Sequence, residues 1–242
     1  MTRASVIANR ERGEDRMNEI DIKVEVLAWI RRASRGRSLP IVTSEFSLNG
    51  TGIRADLALL GDGFCGIEIK SSSDTLKRLP SQMEGYARYF DETMLVVAAK
   101  HEKGLANIDL KRAGVWVLDA PNRHRLIRPG TRARVVGHTL IGLLTAIEER
   151  RAVQAAAARA TSSDNDTHDY FRMSFEAAFR RRYEQTSNQF WQAVKGRSIR
   201  ADDLKLLSRF YPARVQAEKA EIQSTAKWSS WIGEMNALHA SL

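Results

Sequence analysis

The chain has 242 residues, 43% hydrophobic and 28% charged, a balance that describes a soluble protein able to bury a core. A lone cysteine, Cys65, excludes a disulfide framework and any multi-cysteine zinc site, and fits a cytoplasmic setting. The net charge of +9 favours an acidic partner, nucleic acid foremost, and the basic residues are spread along the chain rather than gathered in a tail.

Residues 1–16, "MTRASVIANRERGEDR", lack an apolar core long enough for a secretion signal and read as a flexible leader. From Met17 to Arg35, Ile20, Val24, Leu27, Ala28 and Ile30 fall near helical spacing, which predicts an amphipathic helix with Glu19 and Glu25 facing solvent. "LPIVTSEFSL" (39–48) is β-rich, and "LNGTG" is a turn. "RADLALL" and "FCGIEIK" read as two strands around Gly61-Asp62-Gly63. Leu79, Met83, Tyr86 and Phe90 recur at helical spacing with Pro80 in the first turn, predicting a helix over 79–90.

"MLVVAAK" (94–100) reads as a buried strand, residues 103–112 as a helix and "GVWVLD" (114–119) as another buried strand. "RLIRPG" and "ARVV" also carry strand signals. A helix is predicted over 138–160, a polar linker over 161–169 ("TSSDNDTHD"), and an α-helical C-terminal region over 170–242. Trp191, Trp228 and Trp231 read as core residues of that region, and "NRHRLIR" (122–128) and "RRR" (180–182) are candidate phosphate tracks. This order of elements argues an α/β fold, a mixed sheet with helices on its faces. No apolar stretch approaches the ~20 residues that span a bilayer, so no membrane partner is expected.

Charges rarely sit inside strands that read as buried, so Asp56, Glu68 and Lys70 need an explanation. Side chains alternate along a strand, and the loop length decides who faces whom. A two-residue turn at Asp62-Gly63 would leave the two acids on opposite faces. A three-residue loop, Gly61 to Gly63, with Gly63 in the left-handed conformation, pairs Leu60 with Phe64 and sets Asp56 opposite Glu68, with Lys70 diagonal to both. Facing carboxylates repel, and a divalent cation between them removes that penalty. Oxygen-only ligation suits Mg²⁺ or Mn²⁺. The plainer alternative is a solvent-facing edge hairpin in which Lys70 neutralises one acid.

Asp56 followed by Glu68-Ile69-Lys70 on the next strand resembles the PD-(D/E)XK nuclease superfamily, the restriction-endonuclease-like fold. Ala55 stands where that signature often has proline. Gln82 to Tyr86 resembles the QxxxY element that some of these nucleases carry on the following helix, and Glu45 stands where relatives place another acid. The run from Ser44 to Asp91 is similar to a small, largely uncharacterised bacterial and phage-associated family within that superfamily.

The resemblance implies a nuclease-like domain over 17–160, a Mg²⁺ or Mn²⁺ held by Asp56, Glu68 and the Ile69 carbonyl, and Glu45 as a further ligand. It also implies that Lys70 activates water or stabilises the transition state, that Gln82 positions water, Lys70 or a phosphate oxygen, and that Tyr86 supports that face. Lys77 and Arg78 are offered for phosphate contact. The expected activity is metal-dependent hydrolysis of phosphodiester bonds, with DNA as partner. The alternative is a nucleic-acid-binding or assembly module that keeps the fold without turnover. A homodimer is compatible with either. No P-loop, GxGxxG or GxSxG motif is present, so nucleotide-driven, dinucleotide and serine-hydrolase chemistry has no basis here.

Overall fold

The computed structural model describes residues 17–158 and 164–208, together with Trp228 and Trp231. Helix α1 (Glu19–Ala33) starts at a reciprocal cap: Asn18 Oδ1 accepts from the Asp21 amide at 2.9 Å and Asp21 Oδ2 from the Asn18 amide at 3.3 Å. Its buried face is Ile22, Val26, Leu27 and Ile30, joined by Lys23, while Ile20 is exposed. The apolar stripe is therefore rotated from the one read through Ile20 and Val24.

Six strands follow: β1 (Ile41–Leu48), β2 (Ile53–Leu60), β3 (Phe64–Lys70), β4 (Glu92–Ala98), β5 (Gly114–Ala120) and β6 (Arg123–Arg128). They form one sheet in sequence order, antiparallel at β1–β2, β2–β3 and β5–β6 and parallel at β3–β4 and β4–β5. Parallel neighbours need a crossover, and helix α2 (Leu79–Tyr89) supplies the one between β3 and β4. A 3₁₀ segment, Ala99–Asn107, lies between β4 and β5 where an α-helix over 103–112 was expected. Residues 133–136 form no strand, because the Ala133 amide donates to the Asp91 carbonyl and the Val135 amide to its Oδ1.

The segment 138–160 divides into α3 (Gly137–Ile141) and α4 (Ala146–Ala158). The break has a local cause: Thr145 and Glu148 cap each other at the start of α4 through backbone and side-chain hydrogen bonds. Helix α5 (Asp164–Ala193) begins inside the stretch read as a linker, and "ADDLKLL" at 201–207 is a 3₁₀ turn.

Both sheet faces are covered. One carries Phe64, Met83, Tyr86 and Phe90 against Phe171, Phe175 and Phe179 of α5. The other packs Leu57, Ile67 and Ile69 under α1 and under Phe190 and Trp191 from the end of α5 and Val194 just beyond it. Helix α5 thus passes the β1 edge, where Ser187 Oγ accepts from the Val42 amide at 3.0 Å and Trp191 Nε1 donates to the Pro40 carbonyl at 2.9 Å. An otherwise open strand edge is closed by this contact.

A buried pair ties α5 to the sheet. Asp91 accepts from the Phe64 amide at 2.8 Å, the Val135 amide at 2.7 Å and both terminal nitrogens of Arg172. Burial works against the Asp91 charge, but Arg172 and the two amides outweigh it and hold the carboxyl below its usual range. The described part of the C-terminal region is a layer on the same core. Trp191 is buried as expected, whereas Trp228 and Trp231 are exposed and stack on each other at 5.0 Å. Among the described residues no helix is long and apolar enough to cross a membrane.

Candidate metal and phosphate site

The β2–β3 hairpin closes with Leu60 opposite Phe64, so its loop is the three residues Gly61 to Gly63. Continuing that register past the Leu57–Ile67 pair sets Asp56 opposite Glu68. On the other side, the pairs Ser44–Leu57 and Phe46–Ala55 bracket Glu45 and Asp56. Glu45, Asp56 and Glu68 therefore form a row across three adjacent strands.

The strands are irregular along this row. Glu45 has φ of 57°, in the left-handed region that a side chain with a Cβ rarely occupies. Ala55 and Ala58 belong to the same core cluster, although three residues apart, so the alternation of β2 breaks beside Asp56. That break answers how an acid sits in an apolar run: its neighbours stay in the core while Asp56 turns to an open cleft. The cleft has a volume near 990 Å³ and is lined by Asp56, Glu68, Ile69 and Lys70 together with Glu19, Glu45, Arg54, Arg78 and Gln82.

Glu68 is only 1% exposed and is held from three directions. Its Oε1 accepts from Lys70 Nζ and from Gln82 Nε2, each at 2.6 Å, and its Oε2 accepts from the Tyr86 hydroxyl at 2.6 Å. Gln82 and Tyr86 lie one turn apart on α2, so a single helix face delivers both donors. The Gln82 Oε1 atom is buried and has no hydrogen-bond partner. Burial and the Glu68 and Asp56 charges push the Tyr86 phenol well up, which keeps it a donor.

The Ile69 amide donates to Asp56 Oδ2 at 2.6 Å. Burial and then the charge of Glu68 push the Asp56 carboxyl up to about 7, against the opposing pull of Lys23 and the Ile69 amide. Burial, ahead of the neighbouring charges, is what disfavours the ionised Asp56.

Glu19, Glu45 and Asp56 each offer a carboxylate oxygen within 4.8 Å of the others. Lys23 Nζ stands 2.7 Å from Oε1 of both Glu19 and Glu45, and Arg54 Nε stands 2.6 Å from Glu45 Oε2. Burial opposes the Lys23 charge, yet the bonds to Glu19 and Glu45 and the charge of Asp56 raise its pKa overall. Lys23 escaped the sequence reading, and Glu19, expected to face solvent, instead joins the acid row through it. The available signal was the Glu19–Lys23 spacing of four on α1, which is common on solvated helices.

The remaining basic, histidine and acidic residues lie at the rim of the cleft or away from it. Arg78 reaches the rim of the cleft, while Lys77 is exposed and outside its lining. In the 122–128 track, Arg125 pairs with Glu102 and Asp119, and Arg128 donates to the Lys111 carbonyl. Arg181 and Arg182 of the second track pair with Glu148. His101 is buried, its Nε2 at 2.8 Å from the Ser71 carbonyl, where it fastens the end of β3 to the 3₁₀ segment. Glu25 faces away from the cleft and accepts from the Asn122 amide at 3.2 Å.

The fold and this cleft define an α/β protein with a row of acids and a lysine brought to one opening in the sheet. Residues 12–208 match the family model described as Bacteriophage P4 protein cII, and the chain belongs to that family. Protein cII of Enterobacteria phage P4 is 24% identical over 211 residues, covering 80% of this chain and 78% of the relative. Among solved structures, a protein of unknown function from Silicibacter pomeroyi aligns at 19% identity with a TM-score of 0.39, over 61% of this chain and 92% of that one.

Proposed function

We propose that this member of the family is a divalent-metal-dependent nuclease of the PD-(D/E)XK type that hydrolyses phosphodiester bonds in DNA, in the cytoplasm. The observation that carries the reading is the convergence of Asp56, Glu68 and Lys70 on one cleft, with Gln82 bonded to Glu68. Asp56, Glu68 and the Ile69 carbonyl would hold Mg²⁺ or Mn²⁺. The donor set is oxygen only, and a cation would offset the burial and the Glu68 repulsion that together raise the Asp56 carboxyl. Glu45 belongs to the acid row, with its oxygens engaged by Lys23 and Arg54.

A cation held there would supply Lewis acidity at the scissile phosphate. Lys70, beside Glu68, orients the attacking water and stabilises charge developing on the phosphoryl oxygens. Gln82 fixes Glu68 and offers its amide to the same region. The exposed Arg78 at the rim and the net charge of +9 favour a polyanionic substrate.

A second reading, a nucleic-acid-binding or assembly module without turnover, is favoured by the closure of Glu68 on its own neighbours. A cleavage assay with Mg²⁺ or Mn²⁺ on linear, circular and single-stranded DNA and on RNA, run beside Lys70→Ala, separates the two. Metal-dependent cleavage lost in the variant supports the nuclease. Binding without cleavage on every substrate moves the weight to the module.

A further inference from the structure

Asp56 stands between two differently furnished sides of the acid row. Toward β3 it meets Glu68 and the Ile69 amide. Toward β1 and α1 it meets Glu45 and Glu19, and there a positive charge is already installed. Lys23 is 7% exposed, and its ammonium stands 2.7 Å from a carboxylate oxygen of each glutamate. Two-metal phosphoryl-transfer sites place their ions about 3.5–4 Å apart and share a carboxylate between them. Asp56 occupies that shared position, and the Glu19 and Glu45 carboxylates are the outer donors a second ion would use.

We propose that the Lys23 ammonium takes the place of a second divalent ion, so that the cleft binds one metal ion rather than two. This rests on the nuclease reading for the first ion, held by Asp56, Glu68 and the Ile69 carbonyl. Lys23 rises from one turn inside α1, and α1 is anchored on the sheet by Ile22, Val26 and Leu27, so the ammonium is held by the core. A lysine brings one unit of charge and three donors but no Lewis acidity. Together with Arg54, which meets the other oxygen of Glu45, it offsets the Glu19 and Glu45 charges without polarising a leaving group. Leaving-group stabilisation then falls to residues rather than to a second ion.

The test counts bound Mn²⁺ on the full chain at pH 8, from the electron paramagnetic resonance signal of the free ion. Wild type should bind one Mn²⁺, Lys23→Met two, and Glu19→Gln one. Two ions on wild type, or a folded Lys23→Met that still binds one, overturns the proposal. Loss of the wild-type ion in Glu19→Gln also overturns it, because the metal would then occupy the cluster assigned to Lys23; this arm decides the matter even if Lys23→Met does not fold. No ion on wild type but one on Lys23→Met defeats the nuclease reading while leaving the ammonium on its seat. No ion on either protein defeats both.

Discussion

Gln82 donates its Nε2 to Glu68 Oε1 at 2.6 Å, and its own Oε1 is left buried without a partner. An amide half satisfied in this way adds little to stability, because one bond made is offset by one acceptor desolvated. Gln82→Ala should therefore leave the melting temperature within a few degrees of wild type. If the cleft is catalytic, turnover should fall by ~10²-fold, the size of one lost preorganised contact. Unchanged turnover would remove Gln82 from the site.

Nuclease activity should require Mg²⁺ or Mn²⁺ and vanish with a chelator. Asp56→Ala, Glu68→Ala and Lys70→Ala should each abolish it. Lys70 and Glu68 are both buried, so deleting one strands the other's charge at a cost of about 3–5 kcal/mol. Circular dichroism must accompany each assay. Wild-type cleavage by a folded Asp56 or Glu68 variant would exclude the metal role.

The raised Asp56 carboxyl makes stability depend on pH in an unusual direction. Its folded value is about 7 against 3.8 for a free side chain. Between those values the folded state keeps a proton that the unfolded chain has released, so stability falls as pH rises through the window. Above it the penalty is complete. Asp56→Asn cannot ionise, and at pH 8 it should melt several degrees above wild type, with the gap closing toward pH 4. Mn²⁺ at pH 8 should raise the wild-type melting temperature and leave the variant's unchanged. A gap that widens on acidification would contradict the assignment.

Asp91 and Arg172 should report on the C-terminal region. Both are buried, and Asp91 also holds the Phe64 and Val135 amides. Arg172→Met leaves that carboxylate without its partner, and chemical denaturation should show a loss of about 3–5 kcal/mol in a single transition. Two separate transitions would mean that α5 folds apart from the sheet.

The hairpin was legible in the sequence because its determinants are local. Gly61-Asp62-Gly63 between two apolar runs marks a three-residue loop, in which neither glycine takes a positive φ, and counting pairs outward from Leu60–Phe64 sets Asp56 opposite Glu68. The helix at 79–89 was readable for the same reason, since a spacing of four puts Gln82 and Tyr86 on one face wherever that face turns. What they touch was not readable.

That Gln82 and Tyr86 close on Glu68 depends on where the β3–β4 crossover lays α2 against the sheet. That Lys23 enters the acid row depends on α1 burying Ile22 rather than Ile20, a rotation that periodicity alone left open. The end of the supposed linker was decided the same way, by Arg172 reaching Asp91 from 81 residues away. Local pattern determines which faces exist. Coulomb and hydrogen-bond partners among distant residues are set only when packing chooses which faces meet, and the charges of this cleft come from four different elements.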